Sequence, residues 1–261
     1  MGQVTGHPLE EWRSLDSFRF PDPHDPAFFE GIDEKLDGSD GKYVKTGIFM
    51  LLFERLHALR GFENALVDLY LESDRIEMLA DRIVDFDLEI IDEMSSRMPG
   101  KIHGFSFSDD WGTELNTFIS SELFDEFFKP RYQKIFNACR GKGWDVWMHS
   151  CGKINNFLPS LVELGCDVIN MQQPNTNGIE EIGAQFAGRI CFQVVCDIQH
   201  TLPFQPDEVI AAEAKKLIDC WGTDTGGIVL SDYGDGEAIG VEPEKKKVMF
   251  DAFMKYDRWK G

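Results

Sequence analysis

Six short apolar runs, each followed by a stretch with helical spacing, constrain this chain more than any other feature. The runs are Tyr43–Phe49, Ile102–Phe107, Trp144–His149, Asp167–Met171, Ile190–Val195 and Gly227–Ser231. Brief continuous apolar runs are how strands buried on both faces read in sequence. Helical periodicity occupies Asn64–Leu71, Arg75–Met98, Ser121–Arg140, Ile154–Leu164, Ile179–Phe186, Pro206–Cys220 and Pro243–Tyr256. Strands that alternate with helices are joined by right-handed crossovers and run parallel. The expected class is therefore α/β, of the TIM-type (β/α)8 barrel kind. A closed barrel needs eight strands. Six candidates leave two readings open: two strands escape the pattern, or the barrel is incomplete.

Residues 1–42 lack any such period. Phe20–Pro26 holds three prolines and cannot lie inside a helix. This segment is expected to be an irregular arm packed on a barrel domain spanning 43–261. Ser73 and Asp74 stand where a cap would open the second helix, and Pro206 precedes acids suited to a first turn. Gly100, Gly141 and Gly165 follow helical stretches, where glycine commonly ends a helix.

Composition narrows the function. The 261 residues are 43% hydrophobic, enough for one large core. Lys plus Arg number 26 against 46 Asp plus Glu, a net charge of −20. Bulk charge of that sign speaks against nucleic acid and against anionic membrane surfaces as partners. No apolar run reaches the roughly 18 residues of a membrane span. The first ten residues lack the basic-then-apolar order of a secretory signal. Six cysteines without such a signal suggest reduced thiols in the cytoplasm, not a disulfide framework.

In parallel barrels, chemistry gathers at the C-terminal strand ends. Five consecutive candidate strands here exit into polar groups: Ser108-Asp109-Asp110-Trp111, His149-Ser150-Cys151-Gly152, Asn170-Met171-Gln172-Gln173, Cys196-Asp197-Ile198-Gln199 and Ser231-Asp232-Tyr233-Gly234-Asp235. His149 and Cys151 can face one ion where the backbone turns off its strand, and zinc accepts imidazole and thiolate together. A third ligand is required. Cys196 is the thiol candidate, and Asp232 and Asp235 are the oxygen candidates. The competing reading is a buried cysteine behaving as a small hydrophobe, with His149 hydrogen-bonded at the rim. Asp109 and Asp110 fit paired carboxylates for proton transfer, or equally a cap or backbone clamp. Trp111 and Tyr233 can stack on a flat ligand. Arg55, Arg60 and Arg131 can receive carboxylates, although ion pairs are the commoner fate of such residues.

The stretches His149–Pro174 (HSCGKINNFLPSLVELGCDVINMQQP), Cys196–Val209, Ser108–Ser120 and Gly47–Leu66 resemble the uroporphyrinogen decarboxylase superfamily, most closely its corrinoid-dependent methyltransferase-like branch. The resemblance implies a (β/α)8 barrel whose first two βα units are missing from this chain. It implies two possible chemistries. Decarboxylases of the family use an Arg-rich N-terminal segment and an Asp on the second strand; neither is present here, and a polycarboxylate would meet a strongly acidic chain. The methyltransferase branch uses a His-x-Cys pair and a later Cys for zinc, which activates a thiol acceptor. His149 and Cys151 match the pair. No cysteine lies near Ser231–Gly236, where the later one is expected, so Asp232, Asp235 or Cys196 would have to replace it. If the acceptor is instead a folate-like molecule, Asp109 and Asn170 would hold its ring.

The leading expectation is an enzyme that moves a methyl group between a small molecule and a corrinoid (cobalamin), carried by a separate protein. His149, Cys151 and either Cys196 or Asp232 would hold zinc. Asp109, Asp110 and His149 would be catalytic, and Trp111, Asn170, Gln172 and Tyr233 would bind substrate. The alternatives are a uroporphyrinogen decarboxylase, and a non-catalytic, truncated barrel that binds a ligand or partner. Unpaired strand edges raise the prospect of a homodimer.

Overall fold

Each of the six apolar runs forms a strand in the computed structural model, which describes residues 4–259. They are β1 (Lys45–Ile48), β2 (Gly104–Ser108), β3 (Asp145–His149), β4 (Val168–Asn170), β5 (Cys191–Val194) and β6 (Ile228–Leu230). Strand order follows chain order, and helices alternate with the strands, as the α/β reading requires. Pairing is parallel: Lys45 faces Gly104, Trp147 faces Val168, Val168 faces Cys191, and Phe192 faces Ile228. Six strands, not eight, are present among the described residues. None of the described helices is long and apolar enough to cross a membrane.

The chain divides into two units. The first runs through Asp109 and includes Glu122–Val146; the second takes in Asp110–Ser121 and the chain from Trp147 onward. One boundary thus falls inside β3, and another falls between two adjacent aspartates.

In the first unit, α1 (Phe53–Arg60) follows β1, and no local side chain caps it. The sequence pattern did not reveal this helix. Its cap is distant: Asp109, at the end of β2, accepts the N–H groups of Leu52, Phe53 and Glu54 at 3.0, 2.8 and 2.6 Å. These are donors that a helix start otherwise leaves unpaired. Helices α2 (Phe62–Leu71) and α3 (Ser73–Arg97) follow. The N-cap of α3 is Glu72, with no side-chain bond, so Ser73 and Asp74 do not cap it.

The long helical stretch expected over Ser121–Arg140 is interrupted. Residues Phe124–Phe128 form a π turn before α4 (Lys129–Gly141). The Lys129 N–H reaches back to the Phe124 carbonyl, one residue beyond the α spacing. Pro130 comes next and has no N–H with which to continue an α ladder.

Before β1 the chain makes two short 3-10 turns, Trp12–Asp16 and Pro26–Phe29, and one turn of helix at Ile32–Leu36. Arg60 fastens this segment. Its guanidinium is buried, lies 2.7 Å from the Asp68 carboxylate, and donates to the carbonyls of Leu9 and Glu10. The Trp12 ring lies 4.1 Å from the same guanidinium.

The second unit holds β3 from Trp147 onward and β4–β6, with α5 (Leu158–Leu164), α6 (Ile179–Phe186), α7 (Asp207–Trp221) and α8 (Pro243–Tyr256). Gly165 ends α5 in the left-handed conformation, φ 87°. Trp221 stacks on Phe192 at 4.6 Å between centroids and donates its indole N–H to the Ile179 carbonyl at 2.8 Å. This pins α7 to both β5 and α6.

Candidate metal centre

The second unit brings Asp110, His149 and Cys151 together. One ligand atom from each lies within 4.8 Å of the other two. His149 is the last residue of β3, and the chain turns at once so that Cys151 folds back toward it. The His149 Nε2 is 3.3 Å from Cys151 Sγ and 3.5 Å from Asp110 Oδ1. Asp110 Oδ1 also accepts the Cys151 N–H at 2.8 Å. All three residues are partly exposed, so a ligand can reach them.

The imidazole has a defined orientation. Its Nδ1 lies 2.7 Å from Asn170 Oδ1, on β4. Asn170 Nδ2 in turn donates to the Gln193 carbonyl on β5, at 2.9 Å. That second bond decides which way the amide faces, so Oδ1 is the acceptor and Nδ1 carries the proton. The lone pair then resides on Nε2, directed at Cys151 and Asp110. A histidine held this way through its other nitrogen is the usual arrangement of a metal ligand.

Two loops brace one another behind the cluster. The Gly112 N–H donates to the Cys151 carbonyl (3.1 Å), the Lys153 N–H to the Thr113 carbonyl (2.8 Å), and the Trp111 N–H to Ser150 Oγ (3.0 Å). Gly152 has φ 76°, and a Cβ there would lie 2.2 Å from the Gly112 oxygen. Asn177 donates to the Gly152 carbonyl at 3.0 Å, and the Gly152 N–H donates to Gln173 Oε1 at 3.1 Å.

The donor set suits zinc. Bonds of about 2.0–2.3 Å at tetrahedral angles separate N, O and S donors by roughly 3.3–3.7 Å. The two separations from His149 Nε2, 3.3 and 3.5 Å, fall in that range, and all three donor atoms lie within 4.8 Å of one another. Three protein donors also leave a fourth position open, the pattern of catalytic rather than structural zinc.

The other candidate residues lie apart from this cluster. Cys196 is buried, its thiol directed at the Ile210 carbonyl 3.6 Å away, and burial pushes that thiol well above its ordinary value. Asp232 pairs with Lys246 at 2.9 Å, Lys246 also donates to the Tyr233 carbonyl, and Asp235 accepts the Ala238 N–H. Gln172 is half-buried, and its carbonyl accepts the Ile198 N–H. Trp111 is only 1% exposed and meets Phe157 edge-on at 5.3 Å, a core position.

Asp109 belongs to the first unit and is fully buried. Besides the three N–H groups of α1 it accepts the Tyr132 hydroxyl at 2.5 Å. Burial raises its carboxyl to about 6 against these four bonds, which favour the charged form. Its acceptor capacity is spent on the helix start, which is the clamp that the sequence left open beside proton transfer. Arg60 and Arg131 are also committed, to Asp68 and to Asp81 (2.9 Å). The adjacent Asp110 is the carboxylate that meets His149 and Cys151, and spacing alone did not single it out.

Comparison with known proteins follows the same line. The family model for uroporphyrinogen decarboxylase (URO-D) matches residues 46–256. No curated protein sequence matches the chain. Among solved structures, a methyltransferase from Methanosarcina mazei is similar, with a TM-score of 0.74 at 20% identity over 97% of this chain and 72% of that one. At that identity the likeness is one of fold. The matched span of the family model runs from β1 to the end of α8 and includes all three residues of the cluster, and on that extent the chain belongs to the uroporphyrinogen decarboxylase family.

Proposed function

We propose that this chain is a zinc-dependent methyltransferase that moves a methyl group between a small molecule and a corrinoid, the corrinoid being carried by a separate protein. The observation that carries the reading is the convergence of Asp110, His149 and Cys151, with Asn170 holding the imidazole from behind. His149 Nε2, Cys151 Sγ and an Asp110 oxygen would hold the metal. Zinc bound there would lower the pKa of an acceptor thiol or alcohol, making it a nucleophile. Asn170 keeps the Nδ1 proton in place, and Asp110, by accepting the Cys151 N–H, fixes the loop on which the thiol sits. The similar methyltransferase fold lends this reading support over decarboxylation. So does the commitment of Arg60 and Arg131 to internal acids, which leaves those two unable to receive a polycarboxylate.

The test is metal analysis of purified protein, together with loss of the methyl group from methylcobalamin in the presence of small thiols, followed by visible absorbance. Close to one zinc per chain, and turnover that His149→Ala abolishes, are expected. Zinc-free protein with turnover unchanged in His149→Ala would overturn the proposal. Turnover of uroporphyrinogen in place of methylcobalamin would point to the decarboxylase chemistry of the family.

A further inference from the structure

Helix α7 buries an acid on its core face. Glu213 is 8% exposed and stands among the buried Ile210, Ala214 and Leu217. A carboxylate there costs free energy that an apolar side chain would not, so it persists where other groups depend on it. Its two oxygens accept from three donors, none of them on α7. Oε1 accepts the Asp197 N–H at 2.6 Å, and Oε2 accepts the Thr201 hydroxyl at 2.6 Å and the Asn175 side-chain amide at 2.5 Å. Asp197 and Thr201 belong to the chain leaving β5, and Asn175 to the chain leaving β4.

Asn175 lies in the single helical turn Pro174–Asn177. A second bond ties the same residue: its N–H donates to Asp197 Oδ2 at 3.3 Å, and Asp197, fully buried, also accepts the N–H groups of Gln199 and His200. The two ends of the turn grip one residue of the neighbouring loop. Gln173, just before the turn, accepts the Gly152 N–H, and Asn177, at its end, donates to the Gly152 carbonyl. Asn177 Oδ1 also accepts the Ile154 N–H at 3.0 Å. Both backbone polar groups of Gly152 are therefore set by one turn of helix, and that turn is tied to Glu213. Gly152 is joined directly to Cys151, whose Sγ is 3.3 Å from His149 Nε2.

The links of this chain cannot trade roles, because a carboxylate only accepts and an N–H only donates. Glu213→Gln replaces one acceptor oxygen with a donor, which then meets the Asp197 N–H or the Asn175 amide head-on.

We propose that Glu213 is a positioning residue for the metal centre, fixing through Asn175 and the Pro174–Asn177 turn the place at which Cys151 meets His149 and Asp110. Its effect on zinc rests on the metal-binding reading above; its hold on Gly152 does not.

The experiment uses the full chain. Amide exchange on metal-free protein reads Gly152, and competition with a chromophoric chelator reads zinc affinity. The reference amide is Phe192 in β5, which donates to the Gly227 carbonyl. Glu213→Gln is expected to speed exchange at Gly152 at least tenfold, to leave Phe192 within twofold of wild type, and to weaken zinc about tenfold. Asn175→Ala cuts the link and leaves Glu213 two of its donors. It should act in the same way, and it covers the case in which Glu213→Gln does not fold. Adding Asn175→Asp to Glu213→Gln keeps the number of charges and reverses donor and acceptor, so it should restore most of both effects. Exchange at Gly152 unchanged in the folded variants, an equal rise at Phe192, or zinc affinity equal to wild type would each overturn the proposal. Wild-type protein that takes up no zinc, with Gly152 still freed by Glu213→Gln, would remove the metal reading and leave the hold of Glu213 on the Cys151 loop standing.

Discussion

Asn170 and His149 form a pair in which the amide oxygen fixes the imidazole: Nδ1 donates to Oδ1 across 2.7 Å, and Nε2 is left to face Cys151. Removing the amide frees the ring to rotate and to change tautomer. Asn170→Ala should therefore keep all three ligands and still lower zinc affinity, by about 10–100-fold, the usual effect of losing such a supporting bond. Competition with a chromophoric chelator measures this. Unchanged affinity would mean that the ring needs no support.

Asp109 predicts a pH effect that can be separated from the metal. Its carboxyl is raised from 3.8 to about 6 by burial, so the folded chain holds that proton more tightly than the unfolded chain. The resulting stability is complete below about pH 4 and is lost as pH climbs through about 6, a contribution of about 3 kcal/mol for a two-unit shift. Asp109→Asn cannot ionise and also loses acceptor capacity for α1, so it should be less stable throughout. The gap to wild type should narrow from pH 4 to pH 7. Urea denaturation across that window gives the comparison, and a constant gap would refute the assignment.

The Arg60–Asp68 pair should be expensive to break from one side. Arg60→Met leaves the buried Asp68 carboxylate without its counter-charge, with only the Trp12 indole N–H beside it, and releases the carbonyls of Leu9 and Glu10. A destabilisation of about 3–5 kcal/mol is expected, with faster tryptic cleavage at Arg13 and Arg19. Adding Asp68→Leu should recover part of the stability and none of the protection. Cleavage rates equal to wild type in Arg60→Met would show that the N-terminal segment is held by other contacts.

Gly152→Ala should be disproportionately harmful for a single methyl group. The residue has φ 76°, and the new carbon would sit 2.2 Å from the Gly112 oxygen. The loops must part, which carries Asp110 away from His149 and Cys151. Loss of bound zinc with only a modest fall in melting temperature is the expected signature, read by metal analysis alongside calorimetry.

The strands were legible because each is a short apolar run, and the same holds for Ile179–Phe186 and Pro243–Tyr256, where the structure reproduces the expected bounds. Helix α1 was not, because its start is capped by Asp109, 56 residues away from Phe53, and no local pattern encodes that. The π turn was hidden inside a helical period that it barely disturbs. At the site, His149 and Cys151 could be read from their spacing off a strand. Asp110 could not be distinguished from Asp109, since only the path of the chain past β2 decides which carboxylate is buried and which is left beside His149 and Cys151. Cys196 fits the chemistry by type, and what separates it from the cluster is burial, which residue type does not reveal.

Asp109 and Asp110 share a peptide bond and have separate places, one holding a helix start and the other joining His149 and Cys151 in a cluster that could hold a metal ion. Selection can therefore act on them independently. A descendant that abandoned the chemistry would still need Asp109 to fold and would be free to drift at Asp110. The pair thus offers a marker for sorting relatives: an acid kept only at the first position indicates an inherited scaffold, and acids at both indicate a working centre.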